Sequence, residues 1–259
     1  MAGADLREKL QNGDVVYGTM LFVARNPRWA RFIAGLNLDY VIIDTEHAAY
    51  SRGEVADLIA ALNTTEITPI VRIPYPSVHQ VTMVLDAGAH GVLVPYCETV
   101  PEVQEVVGAA KWRPLKGALL KQAIETGKLP SQASEEYLQQ NNRNSFVMIG
   151  VESVPAIENL EAIVQVEGID VIFIGPNDLT VSMGIPTQVE HPDYEEKLRY
   201  IIRTCAAKNI PVAIHLNSVE DVTKWVNEGA RFILYMSDAW AMVKGLQKDF
   251  EAIKQHVLD

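Results

Sequence analysis

The chain has 259 residues, 48% of them hydrophobic and 21% charged, and a formal net charge of −11. That length and apolar fraction suit one large core, and residues 1–259 are expected to form a single domain. The charge argues against nucleic acid and anionic membranes as partners, because both attract basic surfaces, and no run of about 18 apolar residues marks a membrane span.

The start, MAGADLREKLQNGD, lacks the apolar stretch of a secretory signal. Cys97 and Cys205 lie far apart without metal-ligand spacing, so free thiols and a cytoplasmic setting are expected.

Short β-branched runs then recur along the chain: VVYGTML (15–21), YVIID (40–44), TPIVRI (68–73), GVLVPY (91–96), FVMIGVE (146–152), VIFIGP (171–176), PVAIHL (211–216) and FILYMS (232–237). Between them lie stretches with apolar residues at helical spacing, such as EVADLIAALN and VPEVQEVVGAA, several ending in Gly or Asn. Strand and helix alternation through eight repeats predicts a (β/α)8 TIM barrel rather than an open doubly wound sheet. No G-x-G-x-x-G follows the first strand, which removes the main argument for a dinucleotide-binding sheet. After strand 4, residues 111–145 form a long polar stretch, read as an excursion with one or two short helices over the barrel mouth.

Active sites of such barrels sit where strands end and βα loops begin. Strand 2 ends in Asp44, Glu46 and His47, strand 3 carries Arg72, strand 5 ends in Glu152, and Asp178 follows strand 6. Each has a plainer reading: Asp44 and Glu152 as helix caps, His47 as a loop histidine, Arg72 as a neutraliser of buried acids, Asp178 as a turn residue. Their joint placement at one barrel end favours chemistry. His215 in strand 7 is read as structural or supporting, and Asp238 after strand 8 as a cap for the last helix.

Glu152 and Asp178, one βα unit apart, suit a hard divalent cation that keeps waters for a substrate to displace. A 2-oxo acid could chelate that ion, which would polarise its keto group and favour an enolate. Arg72 would add fixed positive charge, and Asp44 would orient His47 for proton transfer near neutral pH. A Schiff-base route needs a desolvated lysine inside the barrel, and none of the eight runs contains one. A phosphosugar is disfavoured, since no glycine-rich turn follows strands 7 or 8.

At these residues the chain resembles the HpcH/HpaI family of metal-dependent pyruvate aldolases. The resembling segments are DYVIIDTEHA, PIVRIP, LDAGAHGVLVP, VESVPAIENL and VEGIDVIFIGPNDLTVSMGIP, with IGPNDL the most specific. The resemblance implies a TIM barrel assembled as a hexamer with its C-terminal helix exchanged between subunits. It further implies Glu152 and Asp178 as ligands to Mg²⁺, Mn²⁺ or Co²⁺, and Arg72 on the keto oxygen. His47 with Asp44 would be the acid/base pair, and the Asn177 and Asp178 amides would hold the pyruvate carboxylate. Asp86 matches a position that can reach a neighbouring subunit's site, although a surface acid at a helix end is an equal reading. The last helix also has apolar residues at helical spacing, which by itself points to packing on its own barrel.

Three positions depart from the family pattern. Gly150 stands where a glutamine is common, Lys116-Gly117 where Arg-Gly is common, and Ala49 where a proline often follows Glu-His. Lys116 keeps a charge for substrate but not a planar bidentate grip, and Arg25 is a candidate replacement or a solvated surface charge. The expected activity is reversible cleavage of a 4-hydroxy-2-oxo acid to pyruvate and an aldehyde. The alternatives are a decarboxylase or C–C bond-forming synthase sharing the enolate, or a non-catalytic binder of a small acid.

Overall fold

The computed structural model describes residues 3–258. All eight runs are strands: β1 (Val16–Leu21), β2 (Tyr40–Asp44), β3 (Thr68–Arg72), β4 (Gly91–Val94), β5 (Phe146–Gly150), β6 (Val171–Ile174), β7 (Val212–Leu216) and β8 (Phe232–Ser237). Each pairs in parallel with its sequence neighbours and β8 returns to β1, closing the predicted (β/α)8 barrel. Among the described residues, no helix is long and apolar enough to cross a membrane.

The helices on the barrel wall begin where local chemistry says they should. Ser51 with Glu54 and Thr99 with Glu102 form reciprocal capping boxes that start α3 (Arg52–Leu62) and α5 (Val100–Lys111). Ser77 caps α4 (Val78–Asp86) by accepting from the Gln80 amide. The strands present alternate residues to two separate apolar cores. Tyr40, Ile42, Ile70, Leu93, Phe146 and Phe232 fill the barrel, whereas Val41, Ile43, Val71 and Ile149 face the helices. Gly18 is required in β1 because any Cβ there would lie 2.5 Å from the Tyr40 ring. That ring lies 4.1 Å, centroid to centroid, from Phe232, and its hydroxyl donates to Ile233 O at 2.7 Å.

The amino end of the barrel is closed by α1 (Gly3–Gln11), whose Leu6 and Leu10 join the interior core. Asp170, just before β6, holds this floor together. Its carboxylate accepts from Arg7 Nε and Lys111 Nζ, both at 2.6 Å, and from the Val147 amide at 2.7 Å. Arg7 and Lys111 also donate to Ser145 O, so one acid ties α1, α5 and β5 into a single network.

The polar excursion is real but lies elsewhere than expected. β4 is followed at once by α5, so residues 111–145 leave from the end of a helix, and a helix antiparallel to its strand delivers the chain to the amino end of the barrel. The excursion forms α6 (Gly117–Thr126) and α7 (Gln132–Asn142). Gly108 of α5 leaves room for Leu120 and Ile124 of α6, each 3.2 Å from where a Cβ would stand. The stretch is therefore an outer-wall insertion and not a lid over the mouth.

The last helix also departs from one of its two sequence readings. It is exposed from Trp240 to Val257, including Leu246, Phe250 and Ile253. Only its first turns adjoin β1 and β8; the rest does not pack on its own barrel. The wall between β1 and β8 is left with an apolar groove of about 520 Å³, lined by Trp29, Ile33, Leu38, Val222 and Tyr235 among others.

Replacing Asp170 with alanine leaves Arg7 and Lys111 facing each other without a counter-charge, which for a mostly buried pair costs about 3 kcal/mol or more. Denaturant unfolding is expected to show such a loss. A loss below about 0.5 kcal/mol, the ordinary surface range, would mean that the floor does not depend on this acid.

Candidate active site

Asp44 and Arg72 end adjacent strands and stand in register. Asp44 Oδ1 accepts from Arg72 Nε at 2.9 Å and Oδ2 from Nη2 at 2.7 Å, a planar two-point grip that fixes the guanidinium. The same carboxylate accepts from the Glu46 amide at 3.0 Å. Burial works against the Arg72 charge, but the bonds and charge of Asp44, with Glu46 and Glu152, outweigh it and raise its pKa.

One expectation for this corner changes. Asp44 meets His47 only at the backbone amide, 3.4 Å away. The imidazole instead faces Glu46, with Nε2 3.6 Å from Oε2, and the same Glu46 oxygen lies 3.2 Å from Arg72 Nη1. Asp44 does not bond the ring: its carboxylate accepts from Arg72 and from the Glu46 and His47 amides. Burial raises the pKa of Glu46, with Arg72 and His47 pulling it back and Asp44 and Asp178 adding to the rise. His47 itself is half-exposed at the mouth.

Glu152, two residues past β5, is 1% exposed. Its Oε2 accepts from the Tyr96 amide at 2.8 Å, an amide aimed inward by the left-handed backbone of Tyr96 (φ 53). Its Oε1 is buried and has no hydrogen-bond partner. Burial pushes the carboxyl up to about 8, the Tyr96 amide and Arg72 oppose this, and Glu46 and Asp178 reinforce it. Asp178 stands in the first turn of the short helix Pro176–Ser182 that follows β6. The two acids meet over Gly175, where a Cβ would lie 2.2 Å from Glu152 Oε1 and 3.4 Å from Asp178 Oδ2.

This donor set fits a hard divalent ion. Buried carboxylates are normally paired, yet here an unpartnered oxygen faces a second acid, and Asp44, Glu46, Glu152 and Asp178 are set against the single guanidinium of Arg72. Among the described residues no group of three or more His, Cys, Asp or Glu is placed to hold one ion together. An ion would therefore take two protein carboxylates and leave positions for water and substrate.

The remaining sequence candidates separate cleanly. Asn177 sits beside Asp178 in the same first turn. Asp86 and Lys116 lie at the other end of the barrel: Asp86 ends α4 and pairs with Arg113 Nε at 3.2 Å, and Lys116 is exposed just before α6. Within one chain neither reaches Glu152, since both lie where helices return to the amino ends of the strands. Arg25, just beyond β1, donates to Ala49 O and Glu54 and stacks on Tyr50, 4.8 Å from its centroid.

Asp238 opens the last helix and accepts from the Ala239 amide at 2.7 Å, but the capping position expected of it is held by Ser237, whose hydroxyl accepts from the Trp240 amide at 3.4 Å. Its carboxylate also accepts from the amides of Phe22, Val23 and Ala24, which pins the loop after β1. That second role, the Tyr96 amide and the Glu46–His47 approach were missed from the sequence. Only the last had a visible signal, an acid next to the histidine.

The family model for HpcH/HpaI aldolase/citrate lyase matches residues 18–240, most of the barrel. The chain belongs to this family. A 2-keto-3-deoxy-L-rhamnonate aldolase from Salmonella gallinarum is 29% identical over 255 residues, covering 96% of this chain and 92% of that one. The crystal structure of an HpcH/HpaI aldolase from Desulfitobacterium hafniense superposes with a TM-score of 0.83 at 30% identity, over 96% of each chain. The citrate synthase SbnG superposes with a TM-score of 0.84 at 28% identity, over 98% of this chain and 99% of that one. Family membership makes this chain an aldolase-type enzyme, a carbon–carbon lyase.

Gly175 has an ordinary backbone conformation (φ −91), so alanine there strains nothing except the space between the two acids. Gly175→Ala is expected to weaken Mg²⁺ or Mn²⁺ binding at least tenfold by calorimetric titration, with the melting temperature little changed. Unaltered affinity in a folded variant would place the ion elsewhere.

Proposed function

We propose that this family member cleaves a 4-hydroxy-2-oxo acid reversibly to pyruvate and an aldehyde, as a divalent-metal-dependent aldolase. The observation that carries the reading is Glu152 Oε1, buried and unpartnered beside Asp178, at the end of the barrel that also holds Arg72 and His47. Glu152 and Asp178 would hold Mg²⁺, Mn²⁺ or Co²⁺. When bound, the ion supplies Lewis acidity to a keto oxygen.

The chain's own residues do the rest. Arg72, locked by Asp44, presents positive charge that need not reorganise as an oxyanion develops, a preorganised contribution that often costs a few kcal/mol to remove. The amides of Asn177 and Asp178, in the first turn of a helix, lack intrahelical acceptors and suit the pyruvate carboxylate. His47, half-exposed and facing Glu46, takes the C4 hydroxyl proton during cleavage and returns a proton to the methyl carbon of pyruvate. Small 2-oxo acids and aldehydes are the partners, and buried Cys97 and Cys205 suit a reducing cytoplasm.

A homo-hexamer also fits this reading. The exposed apolar face of the last helix and the empty groove between β1 and β8 match what helix exchange between subunits would cover. A second copy is also the only route by which Asp86 or Lys116 could approach a site. Light scattering is expected to report a hexamer, and a monomer at micromolar concentration contradicts it.

The likeness to the citrate synthase SbnG favours a second reading, a C–C bond-forming synthase using the same residues. The first test avoids the aldehyde altogether. Pyruvate methyl protons are expected to exchange in D₂O only with a divalent ion, to stop with chelator and in Glu152→Gln, and to slow about a hundredfold or more in His47→Ala. Exchange that ignores chelator, or no exchange with any ion in folded protein, defeats the proposal. If exchange occurs but products of aldehyde cleavage do not, the synthase reading takes over.

A further inference from the structure

We propose that His215 is a specificity-determining residue that accepts a hydrogen bond from a hydroxyl group on the aldehyde half of the substrate. This rests on the aldolase reading above and extends it to the partner of pyruvate.

His215 is on β7, two residues beyond Ala213, which belongs to the barrel interior. Side chains two apart share a face of a strand, so the ring points inward at the carboxyl end of the barrel. The electrostatic influence of Arg72 and Asp44 on the ring places it in the same mouth. β7 directly follows the βα unit that bears Asp178, so the ring borders the space beyond the proposed pyruvate position.

The chemistry of the ring follows from its one fixed bond. Nε2 lies 3.2 Å from Met236 O. A carbonyl can only accept, so Nε2 carries the proton and Nδ1 is left as a bare acceptor. Among the described residues no group donates to Nδ1, and the ring's bond to Met236 O runs through Nε2. The carbonyl is turned toward the ring at an irregularity where β8 meets β1, and Met236 adopts a left-handed backbone there (φ 54).

The ring is also neutral. Burial, and then the positive charge of Arg72, push its pKa down to about 4, against weaker support from Met236 O and Asp44. A neutral imidazole with a free acceptor gives no charge to a carboxylate and suits a donor such as an alcohol. An acceptor nitrogen in a half-dry site is left unsatisfied by an alkyl group, which is how such positions reject analogues lacking the hydroxyl.

The test compares aldehydes that differ by one hydroxyl: glycolaldehyde with acetaldehyde, and glyceraldehyde with propanal, each added to pyruvate with Mg²⁺ present. Wild-type enzyme is expected to prefer the hydroxylated member by about tenfold or more in kcat/KM. In His215→Leu that ratio should collapse toward one, mainly through KM for the hydroxyaldehyde. In His215→Asn, whose amide oxygen can stand near the Nδ1 position, much of the ratio should return. A purely structural histidine would lower both members of each pair together.

An unchanged ratio in His215→Leu, equal losses for both aldehydes, or no turnover of either hydroxyaldehyde by wild-type enzyme overturns the proposal. Wild-type pyruvate exchange in D₂O, run alongside, separates the causes: exchange with an unchanged ratio removes the role of His215 alone, whereas absent exchange removes the aldolase reading with it.

Discussion

A carboxylate taken out of water with one oxygen unpaired is a standing cost, and in this barrel Glu152 is held in that condition by its neighbours. The Tyr96 amide binds one oxygen, the backbone of Gly175 approaches the other too closely for any side chain, and Asp178 adds charge of the same sign. Arg72 is the nearest positive influence, but its guanidinium is committed to Asp44 and Glu46. The acid therefore has two ways to relieve its burial: keep a proton, which is why its pKa rises to about 8, or meet a cation. Protonation is the cheaper state only while no ion is present.

The rest of the barrel works to keep that arrangement rigid. Two cores, one inside the strands and one outside, fix the strand positions independently of the mouth. The floor network around Asp170 closes the amino end, so the charged groups at the opposite end need supply no fold stability. Barrels divide labour in this way, with stability at the amino face and chemistry at the carboxyl face. The separation explains how four acids can gather at one end: the unfavourable electrostatics there are offset by apolar burial elsewhere.

Much of this was legible in the sequence, because strand parity and strand ends are properties of the chain alone. All eight runs became strands, and Asp44, Arg72, Glu152 and Asp178 fell at the carboxyl ends where those runs stopped. What could not be read depends on turning points between elements. The polar stretch 111–145 looked like a lid because its length was visible while its starting end was not, and once VPEVQEVVGAAK is a helix the same stretch must emerge on the far side. The partner of His47 was misassigned for a related reason. Sequence puts both Asp44 and Glu46 within three residues of the imidazole, and the strand register, which delivers Arg72 into a two-point bond with Asp44, leaves Glu46 as the acid that faces the ring. The left-handed backbone at Tyr96 and Met236 left no trace, since neither residue type favours it.

The departures from the family pattern take on physical meaning in this light. A side chain at position 150 would begin 2.6 Å from Glu152 Oε2 and 2.9 Å from the backbone of Pro95. That volume is occupied by the loop after β4, whose Tyr96 amide donates to Glu152 Oε2. The acid is anchored through that one oxygen. The other is turned to Asp178 and the mouth. Polar capacity on the substrate side then has to come from another strand, and His215, neutral and with one nitrogen unpaired, is an inward-facing group on β7 that can provide it. With no room for a side chain at position 150, the surface meeting the rest of the substrate is left to other strands, while Glu152 and Asp178 keep their places beside Gly175.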